Sequence, residues 1–128
     1  MATKAIAIID DEIDVMNLFK EALEQNGFLV CAFSDSIQAY KILEKEIQKY
    51  GLILSDFRMP NLNGHELCTR LKQLNPELEV ILISAYDAIE CNTSNFKFIK
   101  KPILVAQLLK IVRNILGKEN YPYNDNKN

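Results

Sequence analysis

The stretch Gly51-Leu52-Ile53-Leu54-Ser55-Asp56 decides how this chain reads. Its apolar residues are consecutive rather than alternating, which fits a strand buried on both faces, as strands are in a parallel sheet. The run then stops on a carboxylate. Working outward, Lys4–Ile9, Phe28–Phe33, Glu79–Ser84 and Phe96–Ile99 are short runs of the same kind. Helical patterns lie between them. Val15, Leu18, Phe19, Ala22 and Leu23 follow the spacing of one helix face and stop at Gly27. Ala39, Ile42, Leu43 and Ile47 repeat it behind the capping candidates Asp35 and Ser36. Leu67, Leu71 and Leu74 form a third stripe closed by Pro76, and a last helix over Ile103–Leu116 runs from Pro102 to Gly117. Strands alternating with helices predict an α/β fold: a doubly wound, five-stranded parallel sheet with helices on both faces.

Composition sets the outer limits. With 128 residues, 48% hydrophobic and 25% charged, the chain suits one globular domain with a real core. A formal charge of −2 gives no basic footprint for nucleic acid. No apolar run reaches membrane-spanning length, and Ala5–Ile9 is too short for a signal-peptide core. Cys31, Cys68 and Cys91 lack CxxC spacing and read as free thiols of a reducing compartment, so a cytoplasmic location is expected. Residues 1–117 read as the domain, and 118–128 as a polar, aperiodic tail.

Ligands of open parallel sheets bind outside the carboxyl ends of the strands. Those ends carry Asp10-Asp11-Glu12, Asp56, Ser84 and Lys100-Lys101-Pro102. Taken singly, Asp10 or Asp11 is an ordinary helix cap, Asp56 a turn residue before Met-Pro, Ser84 a strand-end serine and Lys101 a solvated lysine. Together they form a phosphoryl-transfer set. Clustered carboxylates repel one another by roughly 4 kcal/mol per pair at 4 Å and an effective dielectric of 20, so Asp10, Asp11 and Asp56 call for a hard cation such as Mg²⁺. Lys101 adds a second positive charge, and Ser84 a hydroxyl donor. His65 has no second histidine for a metal site and reads as an exposed polar residue. There is no glycine-rich phosphate loop.

The stretches Ala7-Ile8-Ile9-Asp10-Asp11-Glu12, Leu54-Ser55-Asp56-Phe57-Arg58-Met59-Pro60 with Gly64, Ile83-Ser84-Ala85-Tyr86 and Lys101-Pro102 carry a resemblance. In this order they resemble the receiver domain of two-component response regulators, from about Lys4 to Gly117. The resemblance implies Asp56 as phosphoacceptor, supplied by a sensor histidine kinase or a histidine phosphotransfer protein. It implies Mg²⁺ bound by Asp11, Asp56 and the backbone carbonyl of Arg58, with Asp10 acting largely through water. It also implies Ser84 as switch hydroxyl, Lys101 as phosphate partner and a cis Lys101–Pro102 bond. Phe98 matches an aromatic position that turns inward on activation, and reads equally as a plain core phenylalanine. Output then passes to a downstream protein partner, without nucleic acid or membrane. An enzyme turning over external substrate is disfavoured, because Arg58 stands where haloacid-dehalogenase-type phosphatases carry a second aspartate. The rival reading is a receiver-like interaction module that is never phosphorylated.

The chain departs from this family between Ser84 and Lys101, a stretch shorter by about five residues, or one and a half helical turns. The fourth helix is therefore expected to be short or irregular around Asp87–Cys91. The last helix carries two apolar stripes: Leu104, Leu108, Ile111, Ile115 and Val105, Leu109, Val112, Leu116. One stripe suffices to cover a sheet. The second is expected either to be exposed, as a homodimer surface, or to lie under the tail around Tyr121–Tyr123.

Overall fold

The computed structural model describes residues 4–86 and 96–117. Strands β1 (Ala5–Ile9), β2 (Val30–Phe33), β3 (Tyr50–Asp56), β4 (Glu79–Ser84) and β5 (Lys97–Lys100) form one sheet in the order β2-β1-β3-β4-β5. Every pairing is parallel. The connecting helices are α1 (Ile13–Gln25), α2 (Ser36–Glu46), α3 (Gly64–Leu74) and α4 (Val105–Leu116). The expected irregular helix around Asp87–Cys91 and the expected tail both fall outside the described residues.

Strand periodicity divides the core in two. Ile6, Ile8, Leu52, Leu54, Ile81 and Ile83 point to one face, where α1 and α4 cover them with Met16, Phe19, Leu23, Leu108, Val112 and Leu116. Ala7, Ile9, Ile53, Val80 and Leu82 point to the other, against Ala39 and Leu43 of α2 and Leu67, Cys68 and Leu71 of α3. The central strands β1, β3 and β4 are thus apolar on both faces, as the Leu52-Ile53-Leu54 run predicts.

Several expectations need correction. On α1 the buried line is Met16, Phe19 and Leu23, while Leu18 is 53% exposed. A helix lying on one sheet face buries a narrower line than its apolar arc. On α2 and α3, Ile42 and Leu74 are likewise exposed, and Cys68 takes an inward place that the leucine stripe leaves out. The α4 stripes are divided wrongly. Leu108, Val112 and Leu116 form the buried line, with Val105 and Leu109 on one flank and Ile111 and Ile115 on the other, all packed against the core. The second stripe is therefore not free as a unit, and only Leu104, 72% exposed, stands clear. Strand β2 begins at Val30 rather than Phe28. Phe28 turns into the core, yet the Leu29 carbonyl still accepts from the Ile6 N–H at 2.8 Å.

Candidate functional site

Parallel strands deliver their carboxyl ends to one edge. β1 and β3 are neighbours in register Ile9 with Ser55, so the residues that follow, Asp10 and Asp56, emerge side by side. Ser84 pairs with Lys100 across β4 and β5, and the Lys101 N–H donates to the Ser84 carbonyl at 2.8 Å. Lys101 thus leaves the last ladder position aimed back at the acids. The Lys101–Pro102 bond is cis, as the family resemblance implies.

Asp10, Asp11 and Asp56 each offer a carboxylate oxygen within 4.8 Å of the others. Asp10 and Asp56 are buried, at 5% and 8% exposure, and Asp11 is exposed. The Lys101 Nζ lies 3.1 Å from Glu12 Oε1, 3.5 Å from Asp56 Oδ1 and 3.6 Å from Asp10 Oδ2. One ammonium faces three carboxylates. Burial, then the charge of Asp10, pushes the Asp56 carboxyl up from 3.8 to about 6 against the pull of Lys101. Burial likewise raises Asp10, opposed by the Glu12 N–H, which donates to Asp10 Oδ1 at 2.9 Å. Burial alone would lower Lys101, but Glu12, Asp56 and Asp10 outweigh it and hold the lysine above its ordinary value. A site that raises its acids while clustering three carboxylates is short of positive charge. All donors are hard oxygens, so the set fits a small divalent cation.

The turn after Asp56 is fixed by close packing. The Phe57 N–H donates to the Ile83 carbonyl at 2.8 Å, and the Gly64 N–H to the Phe57 carbonyl at 2.8 Å. A Cβ on Gly64 would stand 2.2 Å from the Asp56 carbonyl oxygen and 2.9 Å from Ser55 Oγ. Only glycine fits there. Ser55 Oγ, fully buried, donates to that same Asp56 carbonyl at 2.9 Å. Asn63 caps α3 by accepting from the Glu66 N–H at 2.8 Å. The backbone carrying Asp56 is therefore held from both sides.

Ser84 is buried, and its Oγ accepts from the Tyr86 N–H at 3.1 Å. Tyr86 is 47% exposed, and the Arg58 guanidinium sits 4.2 Å from the centre of its ring, a cation–π contact between the residues two places after Asp56 and after Ser84. Phe98 is half-buried against the α2/α3 face. His65 is not simply exposed: it is half-buried, its ring centroid 5.5 Å from that of Phe96. The expectations thus bring Asp10, Asp11, Asp56 and Lys101 into one cluster, with Ser84 on the adjoining strand end. They leave out Glu12, Ser55 and the steric role of Gly64. Glu12 carries a visible signal, as the third acid of the β1 strand-end trio.

Among the described residues no helix is long and apolar enough to cross a membrane. The family described as response regulator receiver domain matches residues 6–113. The response regulator receiver protein CpdR of Brucella abortus is 28% identical over 118 residues, covering 88% of this chain and 97% of that protein. The phosphoglycerate transport system transcriptional regulatory protein PgtA of Salmonella typhimurium is 28% identical over 117 residues, 88% of this chain but 28% of that longer protein. A CheY-like response regulator receiver domain protein from Methanospirillum hungatei JF-1 superposes with a TM-score of 0.82 at 26% identity, covering 93% of this chain and 97% of that one. The chain belongs to the response regulator receiver domain family, phosphorylation-dependent signalling domains of two-component systems rather than enzymes that turn over external substrates.

Proposed function

We propose that this domain switches protein contacts when Asp56 takes a phosphoryl group from a sensor histidine kinase or a histidine phosphotransfer protein. The observation that carries this reading is the convergence of Asp10, Asp11, Asp56 and the Lys101 ammonium at one strand-end edge. An Asp56 carboxylate oxygen attacks phosphorus and forms the new O–P bond. The bond from phosphorus to the donor breaks with its electron pair, and the donor nitrogen or oxygen takes up a proton. Mg²⁺, held by Asp10, Asp11, Asp56 and the Arg58 carbonyl, would offset negative charge between phosphate and carboxylates. Lys101 pairs with a phosphoryl oxygen, and Ser84 turns its hydroxyl to donate to another. Phe98, on β5 next to Ile99 and Lys100, follows that movement as the switch aromatic. The self-phosphorylation and hydrolysis of Asp56 are the only chemistry this reading assigns.

Residues 1–117 act as the receiver unit and 118–128 as its tail, in the cytoplasm. An apolar cleft of about 220 Å³, lined by Val15, Leu18, Phe19, Pro102 and Ile103, opens directly beside Lys101 and supports approach of a protein partner there. Self-association through α4 would have to use Leu104, Val105 and Leu109, since Val112 is buried. The rival reading, a module that is never phosphorylated, is not favoured: it leaves an electrostatically costly acid cluster without a use. Intact mass decides. Acetyl phosphate with Mg²⁺ should add one phosphoryl group to the wild type and none to Asp56→Asn. Equal labelling of the two would overturn the assignment of Asp56.

A further inference from the structure

The Lys101 ammonium makes its shortest contact with Glu12, not with Asp56. The 3.1 Å to Glu12 Oε1 is hydrogen-bond distance, whereas 3.5 Å to Asp56 and 3.6 Å to Asp10 are ion-pair distances. Glu12 is also in an unusual place for its type. It is the N-cap residue of α1, a position that favours Ser, Thr, Asp or Asn, and its side chain makes no capping hydrogen bond. The carboxylate is turned to Lys101 instead, 89 positions along the chain. Its backbone meanwhile is anchored in the site, because the Glu12 N–H holds Asp10 Oδ1 at 2.9 Å. The residue therefore grips an acid with its main chain and the lysine with its side chain.

We propose that Glu12 is a positioning residue: a tether that draws the Lys101 ammonium to the rim of the acid cluster and keeps it from closing onto Asp56. The consequence is access. Among the described residues, a lysine free of Glu12 is left with Asp56 and Asp10 as ion-pair partners, and it would then occupy the oxygens that a divalent cation must reach. Exposed ion pairs are weak, and Glu12 is 61% exposed against 20% for Lys101. A weak pair is sufficient here, since it only has to bias where one flexible ammonium rests among three carboxylates. It is also readily given up when a phosphoryl oxygen arrives as a better partner. The tether rests on the proposed function for its purpose, but its geometry does not depend on phosphorylation.

Calorimetric titration with Mg²⁺ of the whole chain tests it. Glu12→Gln removes the charge, while Glu12→Asp keeps the charge, loses one methylene of reach and supplies a better N-cap, so folding is not at risk. Both variants should bind Mg²⁺ about fivefold more weakly than wild type, as the released ammonium competes at the carboxylates. Both losses should vanish in a Lys101→Met background. Labelling by acetyl phosphate should then need more Mg²⁺ for half-maximal rate, with the rate at saturating Mg²⁺ within about twofold of wild type. Glu12→Asp binding like wild type, or the Glu12→Gln loss persisting in Lys101→Met, would show a general field effect and overturn the tether. Wild type that binds Mg²⁺ as described but is never labelled at Asp56 overturns the proposed function and leaves the tether standing.

Discussion

Replacing Asp56 by Asn should make the metal-free protein more stable, not less. In the folded state burial and Asp10 raise the Asp56 carboxyl from 3.8 to about 6. A carboxyl raised on folding binds its proton more tightly in the folded chain, so its contribution is most favourable below pH 3.8. That contribution is lost as pH rises through about 6. At about 1.36 kcal/mol per tenfold change in proton affinity, the ionised side chain costs the folded state about 3 kcal/mol above pH 6. Asn has the shape of the neutral acid and carries no such cost. Asp56→Asn should therefore gain about 2–3 kcal/mol at pH 7.5 in the presence of a chelator, or about 1.5 M in urea midpoint with the slope unchanged. The gain should shrink steadily below pH 6 and be small near pH 4. Saturating Mg²⁺ should narrow it again at pH 7.5, because the ion stabilises only the chain that binds it well. Urea titrations across pH 4–8 measure all of this. An Asn variant no more stable than wild type at pH 7.5, or a gain independent of pH, would refute the view that Asp56 is held ionised at a cost.

Three further outcomes follow from contacts already described. Gly64→Ala should cost about 1–3 kcal/mol, because a Cβ 2.2 Å from the Asp56 carbonyl oxygen forces the backbone to shift, and the same shift should slow labelling of Asp56. Arg58→Ala combined with Tyr86→Ala should shorten the life of the phosphoform by about threefold or more if the paired side chains, 4.2 Å apart, shield phosphorus from water; an unchanged decay rate removes shielding as the reason. Val112→Glu should cost more than about 3 kcal/mol and unfold the domain on heating, whereas Leu104→Glu should stay within about 0.5 kcal/mol of wild type.

The strands were legible because their signal is local. Leu52-Ile53-Leu54 or Val80–Ile83 must face helices on both sides whatever the rest of the chain does. The site was legible for a related reason: in a parallel sheet the residue after each apolar run arrives at one edge, so Asp10, Asp56, Ser84 and Lys101 meet by topology alone. Helix faces were harder. Both stripes of α4 are apolar, and their periodicity leaves open which line faces the sheet. That choice depends on how the turn at Pro102 aims the helix, and it selects Leu108, Val112 and Leu116. Met16 displaced Leu18 on α1 in the same way. Glu12 was visible as the third acid of the β1 strand-end trio, but its role was missed because its partner Lys101 is 89 positions away. Gly64 was visible as part of a motif, but its purpose rests on a distance to Asp56 that only the folded turn creates.

The electrostatic cost at Asp56 is matched to its proposed work. A carboxyl raised to about 6 is still about nine-tenths ionised at pH 7, so the nucleophile is present. Raised two further, it would be mostly protonated and inert toward phosphorus. Held at its ordinary value by a closely bound lysine, it would be ionised but covered. The structure sits between these limits: Asp56 is buried beside Asp10, and the ammonium rests 3.1 Å from Glu12 and 3.5 Å from Asp56. The uncompensated negative charge that results is what a divalent cation can relieve. A ligand shifts a conformational equilibrium only through a difference in its contacts with the two states. On the proposed reading Lys101 would supply part of that difference, by giving up its contact with Glu12 for a phosphoryl oxygen.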